Sequence, residues 1–226
     1  ESLDDAIERL PALLDGGAAP EGVLPWLGSF LDLAFESSWT AERRRALLAA
    51  TPDLYRRRGT KQGLVAAIEE ADKDEAVKAV VIRCEGQTFF AGADISEFGK
   101  PMVMPMLPQV VDIIENCSKP VIAAIHGTAL GGGLEVALAS HYRVAVPDAK
   151  LGVPEVKLGL LPGAGGTQRL PRVAGVQKAL EMVTSGTPIG AKDAYAVGLI
   201  DRIVEGELVQ HAVAYADEVR DIRPLP

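Results

Sequence analysis

Two acids and a run of glycines are the residues whose type and spacing could do chemistry. In ALGGGLEVAL, residues 129–138, three consecutive glycines stand directly before an apolar stretch whose single acid is Glu135. Glycine loses more backbone freedom on folding than any other residue, so a triplet in ordered structure signals a need for bare backbone. The triplet ends where a helix is predicted to begin. A helix N-terminus presents unpaired N–H groups and the positive end of a dipole, and glycines let a ligand come close to them. That suits an anion, or an oxyanion that develops during a reaction. Nine glycines lie between 127 and 166, so special backbone geometry is concentrated here.

Nucleotide loops fit this stretch poorly. GTALGGGLE does not contain G-x-G-x-x-G, no G-K-[ST] follows, and an acid directly after the glycines would repel phosphate. The remaining reading is a carbonyl oxygen polarised by backbone donors, with Glu135 beside it for proton transfer. A second acid, Glu155, lies in LGVPEVKLGLLPGAGG, directly after a proline and among apolar residues. Taken singly it reads as a capping or salt-bridging carboxylate. Two acids in such surroundings could instead have raised proton affinities and share one water, as acid-base chemistry near neutral pH requires.

The elements that must position these groups follow from the apolar periodicity. Residues 1–60 read as helices. Ser2 caps a run with Leu3, Ile7, Leu10 and Leu14 on one side, and Trp26, Leu27, Phe30, Leu31, Ala34 and Phe35 recur at helical spacing. Thr40 is predicted to cap a helix through Leu48, and Thr51-Pro52 to open a short further one that Gly59 closes. From Lys61 onward helix and strand alternate. A helix over Leu64, Ile68 and Ala71 precedes the strand VKAVVIRC, a helix runs through Val110 to Ile114, and a strand follows at PVIAAIHG. After the glycines come the helix holding Glu135, a strand at YRVAV, and helices at 177–183, 191–197 and 208–219. VIAAI is apolar on both faces, which predicts a sheet covered on both sides and an α/β fold.

Composition narrows the class further. The chain has 226 residues, 48% apolar and 24% charged, which is enough to bury a core. A net charge of −8 argues against a nucleic-acid-coating protein. Arg43–Arg45 and Arg56–Arg58 are read as solvated helix faces, and Trp26 and Trp39 as core anchors. No apolar run reaches the roughly 18 residues of a membrane span, and no leader-like pattern opens the sequence, so the expected compartment is the cytoplasm. Cys84 and Cys117 stand apart without ligand-like neighbours and read as buried free thiols. His126 and His141 read as structural, and no metal site is expected.

Taken together, FFAGADISEF, KPVIAAIHGTALGGGLEVAL and VPEVKLGLLPGAGGTQRLPR resemble the crotonase (enoyl-CoA hydratase/isomerase) superfamily, above all the hydratase part of multifunctional fatty-acid β-oxidation enzymes. The resemblance covers about residues 61–226. It implies an oxyanion hole for an acyl-CoA thioester made by the backbone N–H groups of Ala93 and Gly132. It also implies that Glu135 and Glu155 are the two hydratase glutamates, assigned here as base and acid respectively. Ala91, Gly92, Asp94 and Ile95 match the loop that cups the adenine of CoA, and Gly131, Pro154 and Gly163 are further substrate-contact candidates. CoA enters as part of the substrate, so no separate cofactor is expected. Family members are often trimers, which makes a homo-oligomer a possible assembly.

The match is incomplete at both ends. The strand and turn that open a crotonase β-β-α spiral are not found before Lys61, and the sequence stops at DIRPLP. Residues 9–60, with GVLPWLGSFLDLAFESSW and RRRALLAATPDLYRRRGT, are instead similar to a bacteriophage tail protein. The expected organisation is therefore a helical segment, 1–60, joined to a crotonase-like domain, 61–226, that lacks its first strand. Hydration of trans-2-enoyl-CoA is the expected activity. The alternatives are enoyl-CoA isomerisation and an inactive fusion with a structural or assembly role.

Overall fold

The computed structural model describes residues 15–30, 35, 39–92 and 104–222. The helix expected from Ser2 and the end of the run through Ala34 lie outside them. The chain divides into two compact units, Glu1–Arg58 and Gly59–Pro226.

In the first unit, a turn begins at Asp15, whose carboxylate accepts the Gly17 N–H at 2.8 Å. Helix α1 follows, Leu24–Phe30, and then α2, Ala41–Arg57, in which Thr40 accepts the Arg43 N–H as an N-cap. Ala19, Leu24, Leu27 and Leu48 form the small core. Three sequence expectations are corrected here. Thr51-Pro52 does not open a separate helix. It lies inside α2, where the buried Thr51 hydroxyl donates to the Leu47 carbonyl at 2.6 Å and the helix runs on past the proline. Trp26 is 50% exposed and no core anchor, because its position on α1 faces away from the buried stripe of Leu24 and Leu27. Arg45 is not solely a solvated charge: its guanidinium donates to the carbonyls of Gly16, Gly17 and Ala19, closing the turn. Trp39 packs against Phe35, with Arg43 over its ring at 4.7 Å.

The second unit begins with α3, Lys61–Lys73, capped by Thr60 through the Gly63 N–H. Then come β1, Val80–Ile82, α4, Leu107–Asn116, β2, Val121–Ile125, β3, Thr128–Leu130, and α5, Gly132–Ala139. Next are β4, Tyr142–Ala145, β5, Lys150–Gly152, a 3₁₀ turn at Pro154–Leu158, α6, Gly166–Ala174, and α7, Val176–Ser185. The described chain ends with β6, Ile189–Gly190, α8, Ala191–Ala196, β7, Arg202–Ile203, and α9, Leu208–Val219. The strand expected over VKAVVIRC is only three residues long, because only Val80–Ile82 find ladder partners on β2.

The strands form two sheets. One is parallel in the order β1-β2-β4-β7, and the other is β3-β5-β6, with β5 and β6 antiparallel. Twice in succession a strand of the first sheet leads to a strand of the second and then to helix: β2-β3-α5, then β4-β5-α6. This is a β-β-α spiral. The first sheet is covered on both faces, as the apolar VIAAI run predicts. Val121, Ala123 and Ile125 point into the large core beneath α3, α4 and α5, while Ile122 and Ala124 pack with Ala212, Ala216 and Val219 of α9. No helix among the described residues is long and apolar enough to cross a membrane.

The second sheet positions the acids. β3 and β5 are parallel neighbours with Leu130 opposite Gly152, and the Gly131 N–H donates to the Gly152 carbonyl at 2.9 Å. Both strands therefore end at the same level. The helix carrying Glu135 and the turn carrying Glu155 start side by side.

Candidate active site

Glu135 lies in α5, whose residues from Gly133 to Ala139 are all buried. A helix apolar all round belongs in a core, and a carboxylate there is costly unless hydrogen-bonded. Glu135 is 2% exposed, and its Oε1 accepts the N–H groups of Ala164 at 2.7 Å and Gly166 at 2.8 Å. Two donors on that one oxygen orient the carboxyl group and satisfy Oε1. Gly166 is the first residue of α6, so its N–H is an orphan amide at a helix N-terminus, and Ala164 stands just before the Gly165 N-cap. A Cβ on Gly166 would stand 3.0 Å from Glu135 Oε1, which explains the glycine.

Glu155 follows Pro154 in the 3₁₀ turn. Its Oε1 would lie 2.9 Å from a Cβ on Gly131, so the carboxyl group rests against the first of the three glycines. Its Oε2 is buried and has no protein hydrogen-bond partner among the described residues. Burial pushes the Glu155 carboxyl above the usual carboxylate range. Its own backbone N–H acts in the opposite sense, and the nearby Glu135 adds to the rise.

Each glycine of the triplet has its own reason. Gly131 has φ +54° and ψ −125°, a backbone region that side chains avoid. Gly132 opens α5, so its N–H has no acceptor within the helix. It is half-exposed, with Leu107 alongside: a Cβ there would meet Leu107 Cδ2 at 2.7 Å. Gly133 lies against the Phe90 backbone, where a Cβ would meet Phe90 O at 2.4 Å. Phe90 itself is bridged to Ala129 of β3.

The structure brings Glu135, Glu155, Gly131, Gly132 and Pro154 to one end of β3 and β5. Ala91 and Gly92 are exposed and follow Phe90 to the same place, with Gly92 against the Leu130 carbonyl. Ala93, Asp94 and Ile95 lie outside the described residues. Gly163 is exposed and set apart. It lines a hollow of about 310 Å³ with Pro108, Glu115, Gln168 and Arg169, in which neither Glu135 nor Glu155 takes part. His126 bonds the Gly86 carbonyl, and His141 accepts the Val121 N–H. Cys117 is buried and Cys84 half-buried.

Sequence reading missed the groups that hold Glu135 in place. Arg169, in α6, donates to the Ala164 carbonyl and forms a two-pronged ion pair with Glu115. The available signal was an arginine three residues inside the helix that GAGG opens, together with acids at 112 and 115, one turn apart on α4. Arg143 was also missed. Its buried guanidinium caps the C-terminal end of α5 by donating to the carbonyls of Ala137 and Ser140, donates also to the Leu199 carbonyl, and faces Asp201.

The Enoyl-CoA hydratase/isomerase family model matches residues 57–224. The human peroxisomal bifunctional enzyme is 47% identical over 169 residues, which are 74% of this chain and 23% of that protein. A probable enoyl-CoA hydratase of Bacillus subtilis is 44% identical over 170 residues, 71% of this chain and 66% of the relative. The chain thus spans less than a quarter of the bifunctional enzyme's length and about two thirds of the bacterial relative's. Among solved structures, an enoyl-CoA hydratase subunit I of Geobacillus kaustophilus superposes with a TM-score of 0.65 at 38% identity, covering 72% of this chain and 66% of that one. The two-sheet β-β-α spiral, the acids at the ends of its strands and these similarities agree: the chain belongs to the enoyl-CoA hydratase/isomerase family.

Proposed function

We propose that this chain hydrates trans-2-enoyl-CoA to 3-hydroxyacyl-CoA, with Glu135 as base and Glu155 as acid. The observation that carries this reading is the convergence of two carboxyl groups of different character on one helix start. Glu135 is held by two amides, whereas Glu155 is desolvated, and burial keeps its proton on to higher pH.

In the proposed reaction the thioester carbonyl lies over the Gly132 N–H, with Ala93 as the second donor. Glu135 takes a proton from a water held between the acids, and the water oxygen bonds to Cβ. The electrons of the double bond move through Cα to the carbonyl oxygen, where the N–H groups stabilise the enolate. As the carbonyl re-forms, Cα takes the proton of Glu155. The cycle closes when the proton gained by Glu135 is returned to Glu155. Leu107 beside Gly132 supplies an apolar wall for the acyl chain, and the 91–95 segment the adenine contacts. CoA arrives with the substrate, and no other cofactor is needed. The cytoplasm is the proposed compartment, and a homo-oligomer the proposed assembly.

The test is loss of enoyl absorbance with crotonyl-CoA. Turnover no greater than that of a Glu135→Gln, Glu155→Gln double variant rejects the proposal. Turnover of a 3-enoyl-CoA but not of crotonyl-CoA assigns isomerisation instead.

A further inference from the structure

Glu135 owes its orientation to the peptide between Ala164 and Gly166, and that peptide is gripped from its other side. The Ala164 N–H points to Glu135 Oε1, while the Ala164 carbonyl accepts Arg169 Nη1 at 2.9 Å. The guanidinium lies flush on Gly165, where φ is +92° and a Cβ would be 2.3 Å from Nη1. Only a glycine allows both the backbone turn and the close approach.

Arg169 is itself fixed. Nε and Nη2 donate to the two oxygens of Glu115 at 2.9 and 2.7 Å, and Asp112 lies 3.4 Å from Nη2. The Arg169 side chain is 12% exposed and that of Glu115 30%, so this pair is far less screened than a surface one. Arg169 holds the Glu115 carboxyl below the usual range through hydrogen bonds and charge. Glu115 is anchored in turn. His141 Nδ1 accepts the Val121 N–H at 2.9 Å, which leaves Nε2 to donate to the Glu115 carbonyl at 3.2 Å. A continuous chain of bonds thus runs from β2 through His141, Glu115, Arg169 and Ala164 to Glu135.

We propose that Arg169, braced by Glu115, is a positioning residue for Glu135, holding the Ala164 and Gly166 amides in line with Oε1. The proposal rests on the reading of Glu135 as the base. A planar fork is needed for it, since one guanidinium must serve a carboxylate with two nitrogens and a carbonyl with the third. A lysine ammonium can satisfy only part of that set.

The experiment compares the full chain with Arg169→Gln, Arg169→Lys and Arg202→Gln. Arg202 makes an equally two-pronged pair with Glu218, away from the acids, and serves as the control. Amide ¹H and ¹⁵N shifts of Ala164 and Gly166 are recorded without substrate, and kcat and KM with crotonyl-CoA. Arg169→Gln is expected to move both amide signals toward their positions in Glu135→Gln. It should lower kcat about 10- to 100-fold, since a small misplacement of a reacting group has effects of that order, with KM changed less than about 3-fold. Arg169→Lys should show the same changes to a smaller degree, and Arg202→Gln neither. Amides of 164 and 166 unmoved in both Arg169 variants, or a kcat loss no greater than that of Arg202→Gln, overturns the proposal. If the glutamine variant does not fold, the lysine variant decides by the same readouts. If the parent chain does not turn over, the reading of Glu135 as base fails, while the amide shifts still decide the positioning claim.

Discussion

The carboxyl group of Glu155 rests on the bare backbone of Gly131, with Oε1 2.9 Å from the point a Cβ would occupy. Gly131→Ala therefore meets two obstacles, since the residue also adopts φ +54° and ψ −125°. A strained backbone of this kind costs about 1–3 kcal/mol, and the added methyl displaces the Glu155 carboxyl. Urea denaturation should show a loss in that range, and kcat with crotonyl-CoA should fall more than stability alone explains. Wild-type stability in Gly131→Ala contradicts the geometry.

Gly133→Ala should be more damaging to the fold. Its Cβ would stand 2.4 Å from Phe90 O and 2.9 Å from Phe90 C, which are backbone atoms that cannot move aside cheaply. The expected loss is about 3 kcal/mol. Gly163→Ala enters open space and should stay within about 0.5 kcal/mol of the parent. Denaturant midpoints for the two variants check the contrast.

The raised proton affinity of Glu155 has a signed consequence for stability. A carboxyl group whose folded value lies above its unfolded one binds more proton in the folded state within that window. Its contribution is fully present below the ordinary glutamate value and is lost as pH rises through the folded value. Glu155→Gln should therefore flatten the decline of melting temperature with pH in that window, and a parallel decline in parent and variant refutes the assignment. In the proposed mechanism kcat/KM also falls on the alkaline side, as Glu155 loses the proton it must deliver.

Arg143 should be a large stability determinant. Arg143→Met removes three carbonyl partners at once and leaves Asp201 without its buried counter-charge. The expected loss is about 3–5 kcal/mol. Arg220, paired with Asp217 on the surface, should change stability by less than about 0.5 kcal/mol when replaced by Met. Equal denaturation midpoints for the two variants would show the Arg143 network to be energetically idle.

What could be read directly from the residues was local. Apolar periodicity placed α4 and α9 because each buries a regular stripe, and PVIAAIHG announced a strand covered on both faces. The glycine triplet and the acid after it predicted a helix start that offers backbone donors, and the linked motifs resembled one family. Local rules failed where packing overrode them. Pro52 lies inside α2, where Leu48 packs into the small core and the buried Thr51 hydroxyl bonds the Leu47 carbonyl. Trp26 faces outward although its neighbours are apolar.

Tertiary structure alone decided which groups meet. Glu135 and Glu155 are twenty positions apart, and nothing local says that their strands end together; that follows from Leu130 standing opposite Gly152. The amides that hold Glu135 come from Ala164 and Gly166, and the brace behind them from Arg169 and Glu115. A hydrogen bond is directional and short-ranged, so its partner is chosen by the path of the backbone. Hydrophobic periodicity is a property of each segment by itself, and for that reason it was legible before the fold was known.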